Sequence, residues 1–150
     1  NDLAGFHEGP AIQMPTKRHR GSSRAWLLAV LLTTACGGPP EFIFTLPTTD
    51  GEIVSFVAVT SDPDVLIAAR QELSQTQDER HLYILGPVAE GDGGHNTGWN
   101  WHFVPDAWKL TETSMDLCNA DPAFVEATIV DWVRKIGRYC PKSSRLLDER

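Results

Sequence analysis

Basic charge is scarce once the first stretch of the sequence is passed. Of 13 Lys and Arg among 150 residues, four (Lys17, Arg18, Arg20 and Arg24) precede residue 25, and nine follow Cys36, against eighteen Asp and Glu. Phosphate backbones repel a surface of net charge −9 unless a basic patch is segregated, and no such patch occurs, which excludes nucleic acid as a partner. Long apolar runs are missing too: Ala25–Ala35 is eleven residues, short of the about 20 that span a bilayer. There is no Gly-x-Ser-x-Gly elbow, no Gly-x-Gly-x-x-Gly opening a helix, no phosphate loop ending in Lys-Ser/Thr and no His-Glu-x-x-His. Internal repeats and low-complexity tracts are absent. What remains is ordinary globular composition, 41% hydrophobic and 9% aromatic.

The N-terminal quarter reads as an address. Met14 opens a stretch in which Lys17-Arg18-His19-Arg20 and Arg24 form a basic region before the apolar run Ala25–Ala35, the length and order of a signal peptide. Leu32-Thr33-Thr34-Ala35-Cys36-Gly37-Gly38 resembles a bacterial lipoprotein signal, with cleavage before Cys36 and a lipid on its sulfur, although Leu32 stands one position further back than usual. Residues 1–13 show no periodicity and read as upstream read-through or a cloning remnant; 14–35 is the expected signal peptide, 36–41 a Gly/Pro tether, and 42–150 a single domain. The expected location is the bacterial cell envelope, or secretion if Cys36 is not lipidated. Three cysteines are an odd number for an exported chain. Assigning Cys36 to lipid leaves Cys118 and Cys140 to pair in an oxidising compartment, with two buried free thiols as the alternative.

Within the folded part, Glu41–Leu46 alternates as a strand, Asp50-Gly51 marks a turn, and Ile53–Thr60 is a second, β-branched strand. Ser61-Asp62-Pro63-Asp64 opens a helix running to about Ser74, with Val65, Leu66, Ala69 and Leu73 as its stripe. Strands are predicted over His81–Val88, Trp99–Val104 and Ala107–Cys118. A second helix begins at Asp121-Pro122, carries Phe124, Val125, Thr128, Ile129, Trp132 and Ile136, and stops at Gly137. A last strand covers Ser144–Leu147. The order predicts an α+β fold, an antiparallel sheet of about five to six strands with two helices on one face, ferredoxin-like in outline.

Gly93–Asp106 is the stretch with chemical potential, holding two of five Trp and two of five His. His95, His102 and Asp106 could supply two imidazoles and a carboxylate, yet the ligand spacing is sparse, so no metal or cofactor is assigned. A histidine pinned to Asp106 or a loop carbonyl is the plainer reading. Trp99 and Trp101 share one strand face, either as core or as a stacking platform for a sugar or peptide, and Asn100 and His102 share the other. The candidate ligand-binding set is therefore His95, Trp99, Asn100, Trp101, His102 and Asp106. No residue is assigned a catalytic role.

Five pieces in order resemble a known family: Thr60-x-Asp62-Pro63; Ala69-Arg70-x-x-Leu73; Gly98-Trp99-Asn100-Trp101-His102-Phe103-x-Pro105-Asp106; Cys118 through Glu126; and Cys140-Pro141-x-Ser143-Ser144-Arg145-Leu146. From about Ile53 to Arg145 the chain is similar to the small domain family named for the amino-terminal domain of a slime-mould calmodulin-binding protein. Lys142 stands where that family usually has Trp, Phe124 where it has Tyr, and the Glu41–Leu46 strand reads as an addition to the pattern. The resemblance implies no activity, and calmodulin binding is not carried over to a chain with a bacterial export signal. The combined expectation is an exported, lipid-anchored binding or interaction domain, its partner a protein, peptide or glycan. Two alternatives are a small metal-dependent or hydrolytic enzyme using His102 and Asp106, and an inhibitor offering Ala89–Gly98 to an exported protease.

Overall fold

The computed structural model describes residues 37–113 and 115–150; the expected signal peptide and Cys36 lie outside the described residues. The chain begins with a hairpin. Strands β1 (Glu41–Pro47) and β2 (Ile53–Val59) pair antiparallel with Phe44 opposite Phe56. Their turn closes through Thr48 N–H to Glu52 O at 2.8 Å, and Gly51, at φ 85°, takes the left-handed position that a side chain would resist. The last strand of the chain, β7 (Arg145–Glu149), pairs antiparallel with β1 on its other side, so the sheet order is β2-β1-β7. The inward alternation of Phe42, Phe44 and Leu46 makes β1 the centre of this sheet, each side chain buried.

Helix α1 (Pro63–Leu73) forms where its opening signature predicts. The Asp62 carboxylate accepts Asp64 N–H at 2.8 Å and Val65 N–H at 3.2 Å, and Pro63 occupies the first turn, where no N–H is needed. Its inward face carries Val65 and Ala69, and the helix packs against β7 and against the segment Lys109–Thr111. Glu72 on the same face is buried because its Oε1 accepts the N–H groups of His81 (2.7 Å) and Leu82 (2.9 Å), tying the following segment to the helix.

The middle of the chain is a second antiparallel layer of short strands: β3 (Tyr83–Leu85) pairs with β6 (Lys109–Thr111), and β4 (Val88–Glu90) with β5 (Trp101–Phe103). What reads in sequence as one strand over His81–Val88 is split by Gly86-Pro87. Gly86 turns its backbone to Tyr139, exchanging bonds of 3.1 and 2.7 Å, and Pro87 cannot donate to a ladder. The position demands glycine: a Cβ there would lie 2.6 Å from Trp108 Cβ. The expected sheet of five to six strands is therefore corrected to a three-stranded sheet and two two-stranded ones within an α+β fold. The long strand expected over Ala107–Cys118 is likewise only Lys109–Thr111, followed later by a single 3-10 turn at Asp116–Cys118.

The second helix is also shorter than its apolar stripe suggests. Helix α2 (Pro122–Ala127) ends at Thr128, whose φ of −126° is not helical. The Thr128 hydroxyl donates to Phe124 O at 2.6 Å and accepts from the Trp132 indole N–H at 3.2 Å, the side-chain back-bonding that bends helices. A short turn α3 (Ile129–Asp131) and a π turn over Trp132–Ile136 follow, and Gly137 at φ 76° ends them with its N–H on Trp132 O. These turns pack over β4, whereas α1 packs on β7 and β6, so the two helical segments do not cover one common sheet.

An aromatic chain joins the layers. Phe44 stacks on Phe56 at 5.4 Å, Phe56 meets Trp101 at 5.6 Å, and Tyr139 closes on Trp101 at 5.4 Å and Phe103 at 5.7 Å. Burial of each ring contributes about 2–3 kcal/mol. Tyr139, buried with its hydroxyl donating to Ala120 O at 3.0 Å, has its phenol pushed well above the usual range by desolvation. Beside it Cys118 and Cys140 form a disulfide across a Cα separation of 5.2 Å, reinforced by Cys140 N–H to Cys118 O at 2.8 Å. Among the described residues no helix is long and apolar enough to cross a membrane.

Candidate functional site

The loop between β4 and β5, residues 91–100, is built on backbone that only glycine adopts freely. Gly91, Gly93 and Gly94 all have φ between 62 and 81°. Gly91 N–H on Asn100 O (2.8 Å) closes its neck. Inside it, Asp92 turns the chain by accepting Asn96 N–H at its carbonyl (2.9 Å) and Gly94 N–H at its carboxylate (2.9 Å). The anchor of the loop is Asn96, which is buried. Its Oδ1 accepts Val57 N–H at 2.9 Å and its Nδ2 donates to Trp101 O at 2.7 Å, so one amide staples the loop to β2 and to the start of β5. Nothing in the sequence singles out Asn96, because asparagine between glycines reads as a turn residue.

The two histidines sit together on this loop. Their rings stand edge to face with centroids 5.5 Å apart, and Gly93 lies against both: a Cβ there would be 2.7 Å from His102 Cγ and from His95 Cε1. His95 Nδ1 donates to Gly93 O at 3.0 Å and His102 Nδ1 to Gly91 O at 2.7 Å, since a carbonyl can only accept. Partial burial, reinforced by the neighbouring His102, lowers the pKa of His95 despite the opposing bond to Gly93. Among the described residues no group of three or more His, Cys, Asp or Glu is placed to hold a metal.

Asp106 is not part of that pair. No hydrogen bond or ion pair joins it to His102 among the described residues. Its carboxylate instead receives Ser61 N–H at 2.5 Å, the Ser61 hydroxyl at 3.1 Å and the Thr60 hydroxyl at 3.1 Å. Those donors, the Ser61 N–H first, hold the carboxyl below the usual carboxylate range. The residue itself has φ 60°, a conformation aspartate tolerates better than most side chains. The His102–Asp106 constellation considered from the sequence is thus two separate pins, His102 on the Gly91 carbonyl and Asp106 on the Ser61 N–H and the Ser61 and Thr60 hydroxyls.

The alternation of β5 divides the remaining candidates. Trp101 is fully buried and belongs to the core with Phe103, not to a surface platform. Trp99, 5.8 Å from it, lies just before the strand and is half-buried, its indole N–H fixed on Ser55 O at 2.9 Å. Asn100 is exposed and its N–H donates to Glu126 Oε1 at 2.8 Å, which ties the loop exit to α2. The exposed part of Trp99 borders a cleft of about 340 Å³ with Thr48, Thr49, Asp50, Glu52 and Asp121.

No curated protein and no solved structure matches the chain. The sequence model of the BP-74 N-terminal domain, the family named for the slime-mould calmodulin-binding protein, matches residues 41–150, a span that includes β1. The Glu41–Leu46 strand, which reads as an addition to the family pattern, is therefore inside the domain, as its place at the centre of the β2-β1-β7 sheet requires. With that span matched, the chain belongs to this N-terminal domain family.

Proposed function

We propose that this is an exported, lipid-anchored binding module that engages an oligosaccharide at the Trp99 cleft. One observation carries the reading: a tryptophan with its N–H already satisfied by Ser55 offers only a π-face, beside a cleft walled by threonine hydroxyls and carboxylates. Sugar rings stack on such faces while their hydroxyls donate to the surrounding acceptors. Export rests on the basic and apolar order before Cys36, and a disulfide at Cys118–Cys140 suits an oxidising compartment.

The test is a titration of the full chain with a panel of neutral oligosaccharides, followed by indole fluorescence, with Trp99→Ala as the control. A saturable response lost in Trp99→Ala, with an unchanged circular dichroism spectrum, is the expected result. A panel without response, or a response that survives Trp99→Ala, overturns it. The anchor is checked separately: Cys36→Ala should move the protein from the membrane to the soluble fraction.

A further inference from the structure

A larger cleft, about 400 Å³, lies elsewhere and shares no lining residue with the Trp99 cleft. It opens between the start of α1, the Gly86-Pro87 break and the turn at Gly137. Its floor is apolar, formed by Val65, Leu85, Pro87 and Trp108, and its rim carries Lys109 and Arg138. That rim is unusual in a domain with twice as many acids as bases after Cys36. Arg70, Lys135, Lys142 and Arg150 are all in ion pairs, and Arg80 and Arg145 donate to backbone carbonyls. Lys109, Arg138 and Arg134 have no hydrogen-bond or ion-pair partner among the described residues, and of these only Lys109 and Arg138 line the cleft.

Two acids also border the cleft, and both are spent. Asp62 caps the N–H groups of Asp64 and Val65, and Asp106 holds Thr60 and Ser61. The free N–H groups of the α1 terminus are therefore already answered by Asp62. Both carboxylates keep their charge but already accept hydrogen bonds, whereas the cleft's two cations have N–H donors without partners. An apolar floor with two unbonded cationic donors at its edge fits a molecule with an apolar body and one anionic head.

We infer that this cleft is a second binding site, taking a small amphipathic carboxylate: its hydrocarbon or aryl part lies on Leu85, Pro87 and Trp108, and its carboxylate bridges Lys109 and Arg138. Arg138 can grip both oxygens at once, while Lys109 acts as a point charge.

The experiment is a titration of the isotope-labelled full chain with phenylacetate, octanoate and the neutral phenylacetamide, read from backbone amide shifts. Phenylacetate or octanoate should shift the amides of Gly86, Lys109 and Arg138 saturably, and phenylacetamide should bind about tenfold more weakly. Lys109→Gln and Arg138→Gln, both exposed and without partners, should each weaken carboxylate binding about tenfold without altering the spectrum of the free protein. Equal binding of acid and amide, unchanged affinity in both variants, or no cleft shifts up to about 10 mM of any probe would overturn the site. None of these readouts involves Trp99, so the oligosaccharide site stands or falls independently.

Discussion

The carboxylate of Asp106 sits 2.5 Å from the backbone N–H of Ser61, forty-five residues away in sequence, and so fixes the entry of α1 to the turn after β5. The sign of its pH dependence follows. Its folded pKa is depressed by Ser61 and Thr60, so its contribution to stability is complete above the unfolded value, about 4, and is lost as pH falls below that and through the lower folded value. Asp106→Ala should lower the urea midpoint at pH 7 and flatten the acid limb of the stability curve below about pH 4. An acid limb identical to that of the parent would contradict this account.

Asn96→Ala removes both bonds of the loop staple and leaves Val57 N–H and Trp101 O without partners. The cost should be about 3 kcal/mol in urea unfolding. Native-state hydrogen exchange supplies the specific check, because the Val57 amide should lose protection while Phe44, on the far strand of the same hairpin, keeps it.

Gly93→Ala places a methyl group against both histidine rings at φ 62°. Left-handed backbone alone costs an alanine about 1 kcal/mol, and displacing the rings adds to it, for a total of about 2 kcal/mol. The proton resonances of His95 and His102 should both shift; movement of neither would show that the rings do not depend on this glycine.

The disulfide gives the simplest assay. The oxidised chain should weigh two hydrogen masses less than the reduced one, and Cys118→Ser with Cys140→Ser should lower stability by about 3 kcal/mol for a closed loop of 22 residues. Equal masses before and after reduction would remove the bridge from the account.

How much of this was written legibly in the sequence depends on whether the signal is local. Ser61-Asp62-Pro63 announces α1 because cap, acid and proline all act within one turn, and Asp50-Gly51 announces its hairpin for the same reason. The shared face of Trp101 and Phe103 is legible, since alternation is a property of the strand alone. Whether that face is core or a stacking platform is not, and Trp101, a ligand-binding candidate in the sequence, is fully buried. The length of the second helix was not legible, because its apolar stripe continues past Thr128 while the Thr128 hydroxyl takes Phe124 O and breaks the backbone. The single sheet failed at Gly86, whose need for space comes from Trp108 across the fold. In the site, the loop glycines were visible, but the buried role of Asn96 and the partners of Asp106 are long-range bonds that no spacing records. Trp99 and Trp101 looked equivalent, and only the place where β5 begins separates them.

Glu41 and Arg150 exchange both of their backbone bonds, at 3.1 and 2.8 Å. Because β1 and β7 run antiparallel, tension applied between these two residues would load that ladder at its open end and peel it one bonded pair at a time, rather than shearing all pairs together. The sheet would thus part at low force when held by both ends. Held by Glu41 alone, as on a one-sided tether, it would bear no such load.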